Sequence, residues 1–295
     1  MKRALKGAAA LGLIAAAGAW WLSAPAPLVA DFASGHQPDL ARGAQVFVAS
    51  GCASCHAAPE AIEADKLLLS GGHAFASDFG TFYAPNISPA STGIGDWTLT
   101  EFARAVTRGV SPTGQHYYPA FPYAAYQHMT EPDVADLFAY IQTLPVSDAA
   151  NRPHDVAFPF NVRRALGLWK TLFVKDDFIL TEAATPEIER GRYLVEGLAH
   201  CGECHTPRNA LGGLERGAWL SGASNPSGKG RIPDITPAAL QWSQSDLVYY
   251  FESGLTPDYD SVGGAMAAVI DNLAQLPESD RAAIAAYLTA LPAVP

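Results

Sequence analysis

Cysteine and methionine are scarce in this chain: its 295 residues include four of the first and three of the second. Charge is sparse too, at 16% of residues against 49% apolar, which excludes a disordered chain. Basic residues number 19 against 29 acidic ones, a net charge of -10. That balance argues against nucleic acid as a partner and suits the steering of a basic protein face into contact. Long runs alternating apolar and polar residues are missing as well, which leaves an all-α, loop-rich architecture. The length allows two domains of ordinary size.

All four cysteines fall in a pentapeptide that occurs twice: Cys52-Ala53-Ser54-Cys55-His56 and Cys201-Gly202-Glu203-Cys204-His205. None remains for a disulfide, a separate zinc site or a free nucleophile. C-x-x-C-H is the attachment signature of a c-type haem. Two thiols about one helical turn apart can add to the two vinyl groups on one porphyrin edge, and the following histidine can hold the iron. The alternative is a pair of C-x-x-C knuckles sharing one zinc, but zinc requires no histidine after each pair. The motifs therefore imply two covalent haem c groups. Cys52, Cys55, Cys201 and Cys204 would attach them, with His56 and His205 as proximal iron ligands.

The rest of the chain is ordered around these motifs. Residues 1–30 form a signal peptide or N-terminal membrane anchor: Lys2, Arg3 and Lys6 precede an apolar run from Gly7 to Leu22, closed by Trp20 and Trp21. Ala24-Pro25-Ala26 resembles a cleavage site, yet Pro27 would follow it, so an uncleaved anchor is favoured. Without the three cations of this segment, the remainder carries -13. A first domain, 31–146, should open with a helix over Leu40–Ser50 that runs into Cys52. Thr98 with Glu101 forms a capping box for a second helix, and Thr130 caps a third that ends at Leu144-Pro145. A connector, 147–186, should hold a short amphipathic helix over 162–173 capped by Asn161. Its basic residues could dock on haem propionates or simply pack the two halves together.

The last segment, 187–295, repeats the first domain. Arg190-Gly191 precedes Cys201 much as Arg42-Gly43 precedes Cys52. Ile232-Pro233-Asp234-Ile235-Thr236-Pro237 echoes Ala84-Pro85-Asn86-Ile87-Ser88-Pro89, and Gln241-Trp242-Ser243 echoes Asp96-Trp97-Thr98. Leu276-Pro277-Glu278 and its helix match Met129-Thr130-Glu131 and its helix. A repeat of this length means two copies of one fold.

On these marks, together with Tyr118-Pro119-Ala120-Phe121-Pro122-Tyr123 and Cys204-His205-Thr206-Pro207-Arg208-Asn209, the chain resembles the bacterial di-haem cytochromes c built from two class I domains. It is also similar in pattern to the cytochrome c subunits of membrane-bound alcohol and sugar-acid dehydrogenases. The resemblance covers about residues 39–292. It implies the cytochrome c fold twice, covalent haem and electron transfer, and it names no redox partner.

Methionine scarcity sharpens the question of the sixth iron ligands, because Met raises the potential and closes the site to small molecules. Met1 lies in the signal. Met266, in Gly263-Gly264-Ala265-Met266, is placed in a loop before the terminal helix and is the expected distal ligand of the second haem. In the first domain the position where the dehydrogenase subunits carry Met is Phe121. Met129 is then the expected ligand, with His116, His128 or an open iron as alternatives and a packing role for Met129 as the plain one. Tyr83, Trp97, Tyr118 and Trp242 should pack on haem, and Arg208 could meet a propionate. His36, His73, His154 and His200 are expected to be surface or hydrogen-bonding residues.

The expected function is single-electron transfer from a periplasmic dehydrogenase or quinol-linked complex to a downstream cytochrome or oxidase. The site of action would be the outer face of the bacterial cytoplasmic membrane, with the N-terminal helix in the bilayer. The rival is a di-haem peroxidase with an open or His-ligated first iron.

Overall fold

The computed structural model describes residues 2–62, 65–226 and 230–292. An N-terminal helix, α1 (Lys2–Leu22), leads into two similar groups of helices joined by a connector. The first group is α2 (Leu40–Ala49), α3 (Cys52–His56), α4 (Leu99–Arg108), α5 (Tyr123–Tyr126) and α6 (Glu131–Ile141). The connector carries α7 (Ala165–Phe173). The second group is α8 (Pro186–Arg192), α9 (Gly202–His205), α10 (Pro237–Leu240), α11 (Gln244–Ser253), α12 (Met266–Leu273) and α13 (Glu278–Ala290).

Expected caps form as the sequence indicates. Thr98 accepts from the Glu101 N–H while Glu101 returns to the Thr98 N–H, so the first capping box is complete. Ser243 and Asp246 build the same box on α11. Thr130 caps α6 through the Asp133 N–H. The helix before the first motif is capped by Asp39, one position ahead of its predicted start at Leu40.

The repeated Arg-Gly pairs have a packing explanation. Gly43 on α2 lies so close to α6 that a Cβ there would collide with the Asp136 carbonyl, and Gly191 on α8 stands in the same relation to Ala283 of α13. Arg42 then donates to Asp133 of α6 (2.5 Å), and Arg190 grips both carboxylate oxygens of Asp280 on α13 (2.8 and 2.7 Å). Bare backbone contact plus an arginine–carboxylate bond fixes the helix pair in each half.

Three expectations need correction. The chain is not purely helical: β1 (Ala74–Ser77) pairs antiparallel with β2 (Gly80–Tyr83), and β3 (Ala223–Ser224) with β4 (Arg231–Ile232). These ribbons are too short to show a period-2 pattern in sequence. The connector helix starts at Ala165 rather than 162, and Arg164, not Asn161, precedes it without a side-chain cap. Phe158 to Asn161 form an exposed irregular segment instead. Third, after α8 the chain continues as a π-helical turn over Tyr193–Leu198, with no counterpart in the first half.

Buried apolar side chains of both halves merge into one cluster, from Val46 and Phe47 through Met129 and Leu194 to Tyr287 and Leu291. Across this cluster, the Tyr193 hydroxyl donates to Asp133 (2.5 Å) and accepts from the Thr130 N–H (3.2 Å).

Candidate haem-attachment sites

Each C-x-x-C-H motif is a single helical turn entered from a left-handed residue, Gly51 (φ 62°) before Cys52 and His200 (φ 42°) before Cys201. The turn puts the two sulfurs on one side and the histidine beyond them. In both motifs the histidine is held the same way. His56 Nδ1 donates to the Pro85 carbonyl and His205 Nδ1 to the Pro233 carbonyl, each at 2.8 Å. The histidine's own carbonyl accepts from a glycine N–H, Gly71 (2.7 Å) or Gly222 (2.8 Å). Both glycines have positive φ, and a Cβ on either would strike the proline loop, so no other residue fits.

These bonds decide what the site can accept. With Nδ1 committed as donor, the lone pair sits on Nε2, and burial lowers the pKa of both rings so that they stay neutral and ready to ligate. The four thiols are unpaired. Burial pushes Cys52 and Cys201 up to about 12 and, with the neighbouring Cys204 as the second cause, Cys55 up to about 11. Such protonated thiols suit addition to an apolar vinyl edge. They do not suit a cation, and among the described residues no three His, Cys, Asp or Glu side chains converge on a metal point. The donor set fits haem c at both motifs and leaves the zinc alternative without a site.

Residues beside the two motifs tie the halves together. Asn272 of α12 donates to Ser54 inside the first motif (2.9 Å). Tyr126, at the end of α5, donates to the Ser50 carbonyl (2.8 Å), just ahead of that motif, and its ring meets His200, just ahead of the second. Sequence reasoning did not single out Tyr126, Ser54 or Asn272 and gave His200 only a plain role. Their importance comes from contacts between halves, which no local pattern announces.

Other candidates fall into place. Met129 is buried at 7% exposure, immediately before the α6 cap, and its N–H donates to Tyr126. Leu276 occupies the equivalent position before α13. Met266 is half-buried and opens α12, so it lies in a helical first turn and not in the loop expected for it. Phe121 stands among Tyr117, Tyr123 and Tyr126 in edge-on contacts of 5.8 to 6.3 Å.

Both ring nitrogens of His116 have partners. Its Nε2 donates to the Ser23 carbonyl (3.0 Å) and its Nδ1 accepts from Lys170 (3.2 Å). His128 stacks on Phe178 with 4.2 Å between ring centres. His36 binds Asp136, and His154 accepts from the Tyr83 N–H. Tyr83 donates to Asp155 and Tyr118 to the Phe160 carbonyl, both in the connector, while Trp242 packs edge-on against Tyr250.

The cations proposed for propionates are engaged elsewhere. Arg163 donates to the His116 carbonyl, Arg164 to Ser23 and the Trp20 carbonyl, and Lys170 to the carbonyls of Arg108 and Gly109. Arg208 pairs with Glu203 and donates to the Gly212 carbonyl. The connector's charges cap backbone because this is where α1 ends against the folded body.

A profile of the cytochrome c family matches residues 40–145. The chain is 53% identical to the diheme cytochrome c-type protein of Cereibacter sphaeroides over 295 residues, covering all of both chains. It is 40% identical to the fructose dehydrogenase cytochrome subunit of Gluconobacter japonicus, covering 88% of this chain and 54% of that one. Against the cytochrome c subunit of the alcohol dehydrogenase (quinone) of Gluconobacter oxydans, identity is 33% over all of this chain and 62% of the other. The chain thus spans somewhat over half the length of these two dehydrogenase subunits.

Proposed function

The chain belongs to the di-haem c-type cytochromes, and from that premise we propose that it relays single electrons from a dehydrogenase at the outer face of the cytoplasmic membrane to a downstream cytochrome or oxidase. It binds two haem c groups covalently and transfers electrons without being a catalyst itself. In this reading residues 31–146 and 187–295 are the two cytochrome c domains and 147–186 their connector. Cys52 and Cys55 carry one haem and Cys201 and Cys204 the other. When bound, each haem supplies a one-electron ferric–ferrous couple.

The chain's residues do the rest. His56 and His205 present Nε2, oriented by the Pro85 and Pro233 carbonyls. Met266 serves the second haem as distal ligand. Met129 serves the first, since both nitrogens of His116 are taken. The observation that carries the relay is that the surroundings of the two motifs meet, with Asn272 of the second half on Ser54 of the first motif and Tyr126 of the first half on His200 beside the second, because a relay needs its centres close. The dehydrogenase as donor is supported by the named roles of the relatives, which are cytochrome subunits of fructose, gluconate and alcohol dehydrogenases. Those names give no support to the peroxidase alternative.

The N-terminal helix is read as a retained anchor. Its 21 continuous residues reach about 31 Å at the helical rise, the thickness of a bilayer core. Its apolar window, Leu5–Leu22, has a mean hydropathy of 1.4 and no buried share. Affinity purification of the tagged chain from native membranes tests the whole reading. A dehydrogenase subunit should co-purify, and its substrate should reduce both haems. Absence of any such subunit, or peroxide turnover by the pure chain, overturns it.

A further inference from the structure

The end of α1 is gripped by the folded body. Ser23 is buried, and Gly167 of α7 lies so close to the Ser23 backbone that any Cβ would collide with it. Arg164 donates to the Ser23 hydroxyl (2.8 Å) and the Trp20 carbonyl (2.6 Å) and covers the Trp20 ring at 4.2 Å. A free helix C-terminus would leave these carbonyls to water. Here they are bound by connector side chains, so the direction in which α1 leaves the body is fixed.

Directly before Arg163 runs Ala157-Phe158-Pro159-Phe160-Asn161-Val162, every residue of it exposed. Phe158 is 80% exposed, Phe160 47% and Val162 45%. On α7, Leu172 is 59% exposed. Phe158 stands in water, and Phe160 is covered on one side only by Phe79 at 5.0 Å, which is costly unless something apolar covers the rest. Exposed apolar side chains clamped to the foot of an apolar helix suit a surface that rests in the lipid boundary.

We propose that the segment 157–162 enters the headgroup–acyl boundary of the bilayer next to α1. It forms a second contact that stops the body from swinging on its anchor and holds the connector face against the membrane. The bilayer is the occupant favoured over another protein because the patch is continuous with the helix that enters the lipid. The inference rests on α1 being retained as an anchor.

The test uses the full haem-loaded chain in vesicles of phosphatidylethanolamine with a minority of phosphatidylglycerol. Phe158→Cys introduces the one thiol not consumed by haem, and a nitroxide attached there reports collisions with oxygen, which partitions into lipid, and with an aqueous nickel chelate. Tyr249→Cys, on the exposed face of α11, is the reference. The oxygen-to-nickel collision ratio should be severalfold higher at residue 158 than at residue 249. If the chain floats with the vesicles but the two ratios are equal, the patch is in water and the inference fails while the anchor stands. Shielding of residue 158 from both reagents means that a second copy covers it, and overturns the inference too. A chain that does not float removes the anchor reading and the inference together.

Discussion

Tyr126 meets His200 edge-on, with 5.4 Å between ring centres and 81° between planes, and in doing so joins the residue groups that precede the two haem motifs. The tyrosine is buried, and its hydroxyl donates to the Ser50 carbonyl at 2.8 Å. Burial first, and the nearby Cys52 and Cys55 thiols after it, push its pKa well up, so it stays a neutral donor. Tyr126→Phe keeps the ring contact and deletes one bond, leaving a buried carbonyl without that partner. The expected cost is about 1–3 kcal/mol in denaturant unfolding, with both haem spectra unchanged. A spectral change at the first haem in this variant would mean that the hydroxyl acts on the haem site directly.

Met129 and Met266 stand in unlike settings, one deep in the core and one half-buried at a helix start. As distal ligands, each should lose its haem's low-spin spectrum when changed to alanine. The potential of that haem should fall by about 59 mV or more, one decade in a one-electron equilibrium. Met129 shares its place with Leu276, which packs and ligates nothing. Met129→Leu therefore separates the roles: a packing residue tolerates it, whereas a ligand does not. Unchanged spin state and potential at the first haem would remove Met129 from the ligand set.

Gly43 and Gly191 carry the helix pairs of the two halves. An alanine at either position must push α6 or α13 away from α2 or α8, with a cost of about 1–3 kcal/mol for overpacking at a tight contact. Gly7, with open space around it, is the control and should show no such loss on substitution. Thermal unfolding of the three variants reads the difference.

The capping boxes and the single helical turn of each C-x-x-C-H motif were legible because each depends on residues near in sequence. Thr98 needs only Glu101, and C-x-x-C-H needs only one helical turn. The repeat of Arg-Gly was visible too, although its reason, a backbone contact across 93 residues from Gly43 to Asp136, was not. The roles of Arg163, Arg164 and Lys170 were hidden for the same cause: their partners, His116, Ser23 and Gly109, lie 47 to 141 residues away. Asn161 looked like a cap because capping residues and exposed-loop residues share one composition. The short β1–β2 ribbon gave too few residues for any period to emerge.

Lys170 closes the account with a pH dependence. Its ammonium sits among the carbonyls of Arg108 and Gly109, the Nδ1 of His116 and the face of Tyr123, and burial lowers its pKa to about 7 from an ordinary 10.5. Asp176, which lines the same cavity of about 260 Å³, is exposed. Below pH 7 the lysine is charged in both folded and unfolded chains, and the folded state bears the burial penalty. Between pH 7 and 10.5 the unfolded chain holds the proton while the folded chain releases it, so this group makes stability rise with pH. His116, also lowered by burial, acts in the same sense at lower pH, destabilising the fold as pH drops below the ordinary histidine range. Lys170→Met should therefore flatten the dependence of Tm on pH between 7 and 9.5, each kcal/mol removed corresponding to about 2–4 °C at this chain length. A variant whose Tm follows pH as steeply as the parent would show that Lys170 titrates as a solvated lysine.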